Sequence, residues 1–316
     1  MKFIDFHCDT ASLMLHENKR LAESDLKVDI KKLREGEALA QFFALFIDKE
    51  YRSDTYEYCK DMLGNFKGEL NENSKDIMLC RNINDLKLAE EDNKIGAFLT
   101  IEGGDAICGE VDKLKEFKKE GVSLMTLTWN YVNDLGYPNY EFKYKDNGLT
   151  STGIEVIEEM NRLGMLIDVS HLSDGGFYDV IKYSKEPIIA SHSNSRVQTG
   201  HSRNLTDHMI KVLANNGGLT GINFCNAFLM EEGCNASDLA LIKDMVRHIK
   251  HIRNVGGIDI IGLGSDFDGI ENEVEITDSS KMGLLLKALE KEGFKEEEIE
   301  KIFYKNAKRI IKDVLK

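Results

Sequence analysis

Residues 151–171 read STGIEVIEEMNRLGMLIDVSH. The first two thirds is a charged, helix-periodic stretch that stops at Gly164, the residue type that commonly succeeds a helix C-terminus. The remaining third, GMLIDVSH, is a short apolar run ending abruptly on a histidine. A helix feeding directly into a buried strand is half of a βαβ unit. The same alternation recurs along the chain. Short apolar runs stand at KFIDFHCD (2–9), ALAQFFALFI (38–47), IGAFLTIEGG (95–104), GVSLMTLTWN (121–130), GMLIDVSH (164–171), EPIIASHS (186–193), GGLTGINF (217–224) and IDIIGLGSDFDG (258–269). Helix candidates such as VDKLKEFKKEG, TDHMIKVLANNGG and LALIKDMVRHIKHIRNVGG lie between them. Continuous apolar runs are what a sheet covered on both faces requires. Eight parallel βα units predict an α/β protein closed into a (β/α)8 TIM barrel, not an open doubly wound sheet. The Rossmann alternative lacks its fingerprint, since no GxGxxG succeeds an early strand.

With 316 residues, two prolines and no Ser/Gly-rich linker, the chain shows no internal boundary, so one barrel domain over 1–316 is expected. Residues 48–91 are long and polar and read as a helical elaboration after the second strand. Near the C-terminus, Ile299, Ile302, Phe303, Ile310, Ile311 and Val314 form one apolar stripe on a closing helix. A net charge of −14, spread along the chain, argues against nucleic acid or an anionic membrane surface as partner. Asp5, His7 and Asp9 interrupt the N-terminal segment before any secretory h-region could form, and no run approaches a membrane span, so no anchor is expected. The six cysteines (Cys8, Cys59, Cys80, Cys108, Cys225, Cys234) contain no CxxC pair and fit reduced thiols of a cytoplasmic protein.

In a barrel of this kind the chemistry sits at the C-terminal ends of the strands. The first run ends in His7 and Asp9, the third in Glu102, the fifth in His171, the sixth in His192 and the eighth in Asp266 and Asp268. Each has an ordinary structural reading: a core histidine, a helix cap, a lone ion pair, an Asp-Gly turn. Core packing does not ask for acids and histidines at one end of five strands together. A metal centre does, because buried carboxylates and imidazoles are costly unless paired or coordinating. Cys8 lies between two of these groups but points to the opposite face by strand alternation. Three imidazoles and two carboxylates exceed one tetrahedral zinc, and suit two ions sharing a carboxylate. The absence of thiolate fits Zn2+ best, with Mn2+, Co2+ and Fe2+ compatible.

The motifs FHCD, IEGG, GLTSTGIEVIEEMNRLGMLIDVSH, IIASHSNSR, HSRNLTD and GLGSDFDG resemble, in order and over most of the chain, those of the membrane (renal) dipeptidase family, metallopeptidase family M19. The resemblance implies a binuclear-zinc (β/α)8 barrel that hydrolyses dipeptides, L-L and also L-D, with a hydroxide held between the metals. It implies His7, Asp9 and Glu102 on one zinc and Glu102, His171 and His192 on the other, with Glu102 as the bridge. Asp266 would move the proton, and Arg203, beside Asn204, would clamp the substrate's terminal carboxylate. A homodimer is the assembly it implies. One departure stands in the fourth run: mammalian members carry histidine where this chain has Trp129. Trp129 would contact substrate in its place, and oxyanion stabilisation would lean more on the metals, on Asn130 or on Tyr131.

Two other readings compete. One is a different binuclear-metal amidohydrolase, such as a lactonase, a deaminase or an N-acyl-amino-acid deacylase. Those barrels often begin with HxH and bridge through a carboxylated lysine, whereas HxD and a glutamate stand here. The other is a metal-binding relative that lost catalysis through Trp129.

Overall fold

The computed structural model describes residues 1–230, 235 and 238–316. Among the described residues, nine parallel strands run in chain order as β1 (Phe3–Cys8), β2 (Ala38–Phe46), β3 (Ile77–Leu79), β4 (Ile95–Glu102), β5 (Val122–Thr126), β6 (Leu166–Asp168), β7 (Ile189–Ala190), β8 (Leu219–Ile222) and β9 (Ile261–Leu263). Neighbours follow the order β2-β1-β9-β8-β7-β6-β5-β4, and β2 pairs with β4 from Ala40 opposite Gly96 to Phe46 opposite Glu102, which closes the barrel. The eight runs expected as strands are these eight staves.

The 151–171 segment folds as its pattern requires. Thr150 caps the helix Ser151–Leu163 by accepting from the Gly153 amide, and Gly164 ends it at φ 65°. That is a left-handed conformation a β-carbon disfavours. Val156, Ile157 and Met160 face inward, and β6 begins two residues after the glycine. Residues 48–91 depart from the all-helical expectation. They hold helices Thr55–Glu72 and Ile83–Glu91, but β3 lies between them, paired with the first half of β4. Three residues are too few to show a period of two, so β3 has no sequence signature of its own.

Two apolar layers hold the barrel. Ile4, Phe6, Phe42, Phe98, Leu124, Leu166, Ile189 and Leu219 form an inner cluster with Ile310, Ile311 and Val314 of the C-terminal helix. Phe43, Leu45, Leu99, Ile101, Met125, Ile167 and Leu263 pack outward against the helices. Phe42 stacks on Phe98 with ring centroids 4.5 Å apart. The whole predicted C-terminal stripe is buried, and its helix passes through a π-helical turn at Lys301–Lys305. Five described cysteines (Cys8, Cys59, Cys80, Cys108, Cys225) are free thiols; Cys234 lies outside the described residues. Among the described residues no helix is long and apolar enough to cross a membrane.

Candidate active site

Between Asp5 and Cys8 the β1 ladder advances three residues against two on β2, from Gln41 to Phe43. This bulge breaks strict alternation. Phe6 belongs to the inner cluster, yet Cys8 joins the outer one, its thiol 3.5 Å from the Phe42 carbonyl. His7 and Asp9 thereby turn toward the barrel mouth, the re-aiming that bulges beside active sites provide. Glu102 is the last residue of β4, while His171, His192 and Asp266 stand just past β6, β7 and β9. His171 and Asp266 hold φ of 66° and 64°, a left-handed backbone that costs non-glycine residues about 1–3 kcal/mol and clusters at functional sites.

The six side chains converge. His7 Nε2 lies 3.3 Å from Asp9 Oδ2, 3.3 Å from Glu102 Oε2 and 3.7 Å from Asp266 Oδ1. Glu102 Oε1 lies 3.1 Å from His171 Nε2 and 3.4 Å from His192 Nε2, and those two nitrogens are 3.1 Å apart. Ligand atoms at zinc-like bond lengths around a tetrahedral ion are about 3.3 Å from one another, so both groups have the edge lengths of a coordination shell. His7 Nδ1 and Nε2 and Asp9 Oδ1 are buried without a hydrogen-bond partner, which a native interior rarely tolerates without a cation or water. The donor set therefore fits a metal centre, and the two oxygens of Glu102 face its two halves.

Electrostatics agree with a cluster built to receive positive charge. Burial works against the charged form of His7, yet Glu102 and Asp9 overcome it and hold the imidazole well above its ordinary pKa. Burial raises Asp9 to about 7 against the pull of His7. Burial also opposes ionisation of Glu102, but His7, His171 and His192 hold it well below the usual carboxylate range. Burial, and then the Arg203 charge, lower His171 to about 4. Asp266 is raised by burial, with His7 opposing.

A cavity of about 990 Å3 opens over the centre, with Asp9, Glu102, Trp129, Asn130, His171 and Asp266 in its lining. Trp129 packs edge-on against Phe46, centroids 4.8 Å apart. Asn130 Oδ1 sits 3.2 Å from His171 Nδ1, so it orients an imidazole of the centre. The Tyr131 hydroxyl donates to Glu50 at 2.6 Å. Arg203 is buried, its guanidinium carbon 5.2 Å from the Phe228 ring centroid; Nη2 reaches the His192 carbonyl at 3.4 Å, and Nε and Nη1 have no partner. Of the expected substrate contacts, Trp129 and Asn130 line the cavity, Arg203 and Tyr131 are not among its lining residues, and neither is Asn204. Its amide donates to the Thr199 and Phe228 carbonyls and accepts from the Asn194 N–H, which knits the loop that carries Arg203.

Two further residues complete the site, and only the second lacks a clear signal in the sequence. Asp268 is a strap, accepting from Thr10 Oγ1 at 2.6 Å and from the Lys27 and Val28 amides. Asn223, the first residue past β8, donates to Asp266 Oδ2 at 2.9 Å and to the His192 carbonyl at 3.3 Å. Its one hint is its place, a step beyond the apolar part of the seventh run, where an uncharged amide attracts no attention.

A closed parallel barrel with histidines and carboxylates gathered at its C-terminal mouth defines a metal-dependent hydrolase. The model of the membrane dipeptidase family, peptidase family M19, matches residues 1–316. The chain belongs to that family and is a metallo-dipeptidase. An uncharacterized dipeptidase of Schizosaccharomyces pombe is 33% identical over 98% of this chain and 80% of its own. A Klebsiella pneumoniae protein encoded in the pqqA 5′ region is 35% identical over 75% of this chain and 89% of its own. Among solved structures, a family M19 metallopeptidase, dipeptidase AC, superposes with TM-score 0.92 at 24% identity, covering 100% of this chain and 99% of its own. A Rhodobacter sphaeroides metallopeptidase bound to a phosphinate mimic of L-Ala-D-Ala does so with TM-score 0.91 at 24% identity, covering 99% of each. At that identity the two structures attest the shared barrel. The lactonase and deacylase readings are not favoured by these likenesses.

Proposed function

We propose that the centre holds two zinc ions, one among His7, Asp9 and Glu102 and one among Glu102, His171 and His192, and that the chain hydrolyses dipeptides whose second residue is L or D. The observation that carries this reading is the division of Glu102, with Oε2 toward His7 and Oε1 toward His171 and His192. Bound there, the ions supply Lewis acidity and a water made nucleophilic near neutral pH. The chain's own residues do the rest. Arg203 takes the substrate's terminal carboxylate on its free Nε and Nη1, a fork suited to a carboxylate. Asp266, held by Asn223, accepts a proton from the attacking water and returns it to the leaving amine. With Oδ1 of Asn130 turned to His171, its amide nitrogen, together with the Trp129 indole N–H, is the donor left for the developing oxyanion. Tyr131 and Asn204 support this arrangement from behind. The phosphinate complex of the Rhodobacter sphaeroides relative supports extending the second position to a D residue. A cytoplasmic setting, expected from the thiols, belongs to the same proposal.

The test is turnover of an L-Xaa-L-Xaa and L-Xaa-D-Xaa dipeptide library with and without a chelator. Turnover that the chelator abolishes and zinc restores is the expected result. Metal-loaded protein that cleaves none of the library would overturn the reading.

A further inference from the structure

Two buried aspartates each grip one serine in the same way. Asp5 Oδ1 accepts from the Ser265 amide at 2.9 Å and Oδ2 from its hydroxyl at 2.6 Å. Asp168 Oδ1 accepts from the Ser191 amide at 2.8 Å and Oδ2 from its hydroxyl at 2.6 Å. The surroundings behind the hydroxyl differ. Ser265 Oγ meets only backbone, the His7 carbonyl at 3.3 Å and the Phe267 N–H at 3.2 Å. Ser191 Oγ lies 2.7 Å from His192 Nδ1 and 3.3 Å from Ser170 Oγ, whose hydroxyl is free to donate to it.

With Asp168 as a carboxylate, the hydrogen bonds along this second chain order its protons. Asp168 also receives the Thr126 hydroxyl at 2.6 Å and the Ser170 amide at 2.9 Å, so four donors surround a carboxylate that, ionised, can only accept. Ser191 has one hydroxyl proton, and Asp168 takes it. The serine oxygen is then an acceptor toward His192, so Nδ1 must carry the imidazole proton. Nε2 keeps its lone pair, aimed where Glu102 Oε1 and His171 Nε2 stand at 3.4 and 3.1 Å. Asp168, Ser191 and His192 are fully buried, so no bulk water can replace a missing partner. The partner of the second nitrogen sets the tautomer and aim of a metal-binding histidine.

We propose that Ser191, held by Asp168, is a positioning residue that fixes the tautomer and direction of His192. The consequence for metal binding rests on the proposed ligand set; the tautomer itself does not. The experiment compares Ser191→Ala with Ser265→Ala, which breaks the matching grip that reaches no imidazole. Nitrogen-15 NMR of the metal-free wild type should show His192 protonated on Nδ1, and Ser191→Ala should lose that single form. Calorimetric titration with Zn2+ should show one binding event weakened roughly 10- to 100-fold in Ser191→Ala, and neither weakened in Ser265→Ala. Finding His192 protonated on Nε2 in the wild type overturns the proposal, and this needs no variant to fold. Equal zinc affinities in Ser191→Ala and wild type, or an equal loss in Ser265→Ala, overturn it as well. Failure of the wild type to cleave dipeptides would count against the functional reading alone, because neither readout involves turnover.

Discussion

Replacing Arg203 by methionine should make the free protein more stable while removing most of its activity. The side chain is 4% exposed, and burial pulls its pKa down, with Asp266 and Glu102 only partly opposing. Two of its donors, Nε and Nη1, are unsatisfied, and each such buried group costs about 1–3 kcal/mol. Against that stands the interaction with the Phe228 ring, about 0.5–2 kcal/mol, and a single long bond to the His192 carbonyl. Methionine fills comparable length without a polar head, so a net gain of about 1–3 kcal/mol is expected. With substrate bound the balance reverses. Two charge-assisted bonds to a carboxylate are together worth about 3–6 kcal/mol, or roughly 10²- to 10⁴-fold in kcat/KM. Urea denaturation measures the first effect. The second is read by comparing each dipeptide with its C-terminal amide, which lacks the carboxylate: the wild type should prefer the acid strongly and the variant should not. A variant less stable in urea that still prefers the acid would refute the assignment.

Two further outcomes are expected. Asp266→Asn should retain its bound metal by elemental analysis yet lose about 10²- to 10⁴-fold in kcat; near-normal turnover would remove Asp266 from the proton path. His248 is fully buried, its Nδ1 accepting from the Ser195 amide at 3.1 Å and its Nε2 3.0 Å from the Leu229 carbonyl. Burial is the main cause that pushes its pKa down to about 3 from the usual 6.5, the neighbouring Arg247 and His251 adding to it. Between those values the unfolded chain binds the extra proton, so stability falls as pH drops below about 6.5 and goes on falling toward 3, by on the order of 5 kcal/mol in full. His248→Gln should flatten the decline of the urea midpoint between pH 6.5 and 4, and parallel wild-type and variant profiles would refute this origin.

The eight main staves were legible because a strand buried on both faces must be apolar throughout, as ALAQFFALFI and IGAFLTIEGG are. The acids and histidines that end several of those runs were legible for the converse reason: an apolar run that stops on a charge needs a partner for it. β3 was not, since IML is shorter than the period that would reveal it. The bulge in β1 was hidden too. Alternation alone places Cys8 opposite His7, but the slip against β2 is what separates Cys8 from Phe6 and turns His7 into the mouth.

The amino-acid sequence by itself determined which segments are buried and which residue types stand at their ends, because periodicity and polarity act over a few neighbouring residues. Only the closed barrel decided which atom faces which. It splits Glu102 between two sets of imidazoles, turns Asn130 toward His171, commits Asn204 to its own loop, and sets Asn223 against Asp266. Apart from the Asn204 bond within its loop, those contacts join residues far apart along the chain, and their geometry comes from strand register and barrel closure, which no local pattern encodes.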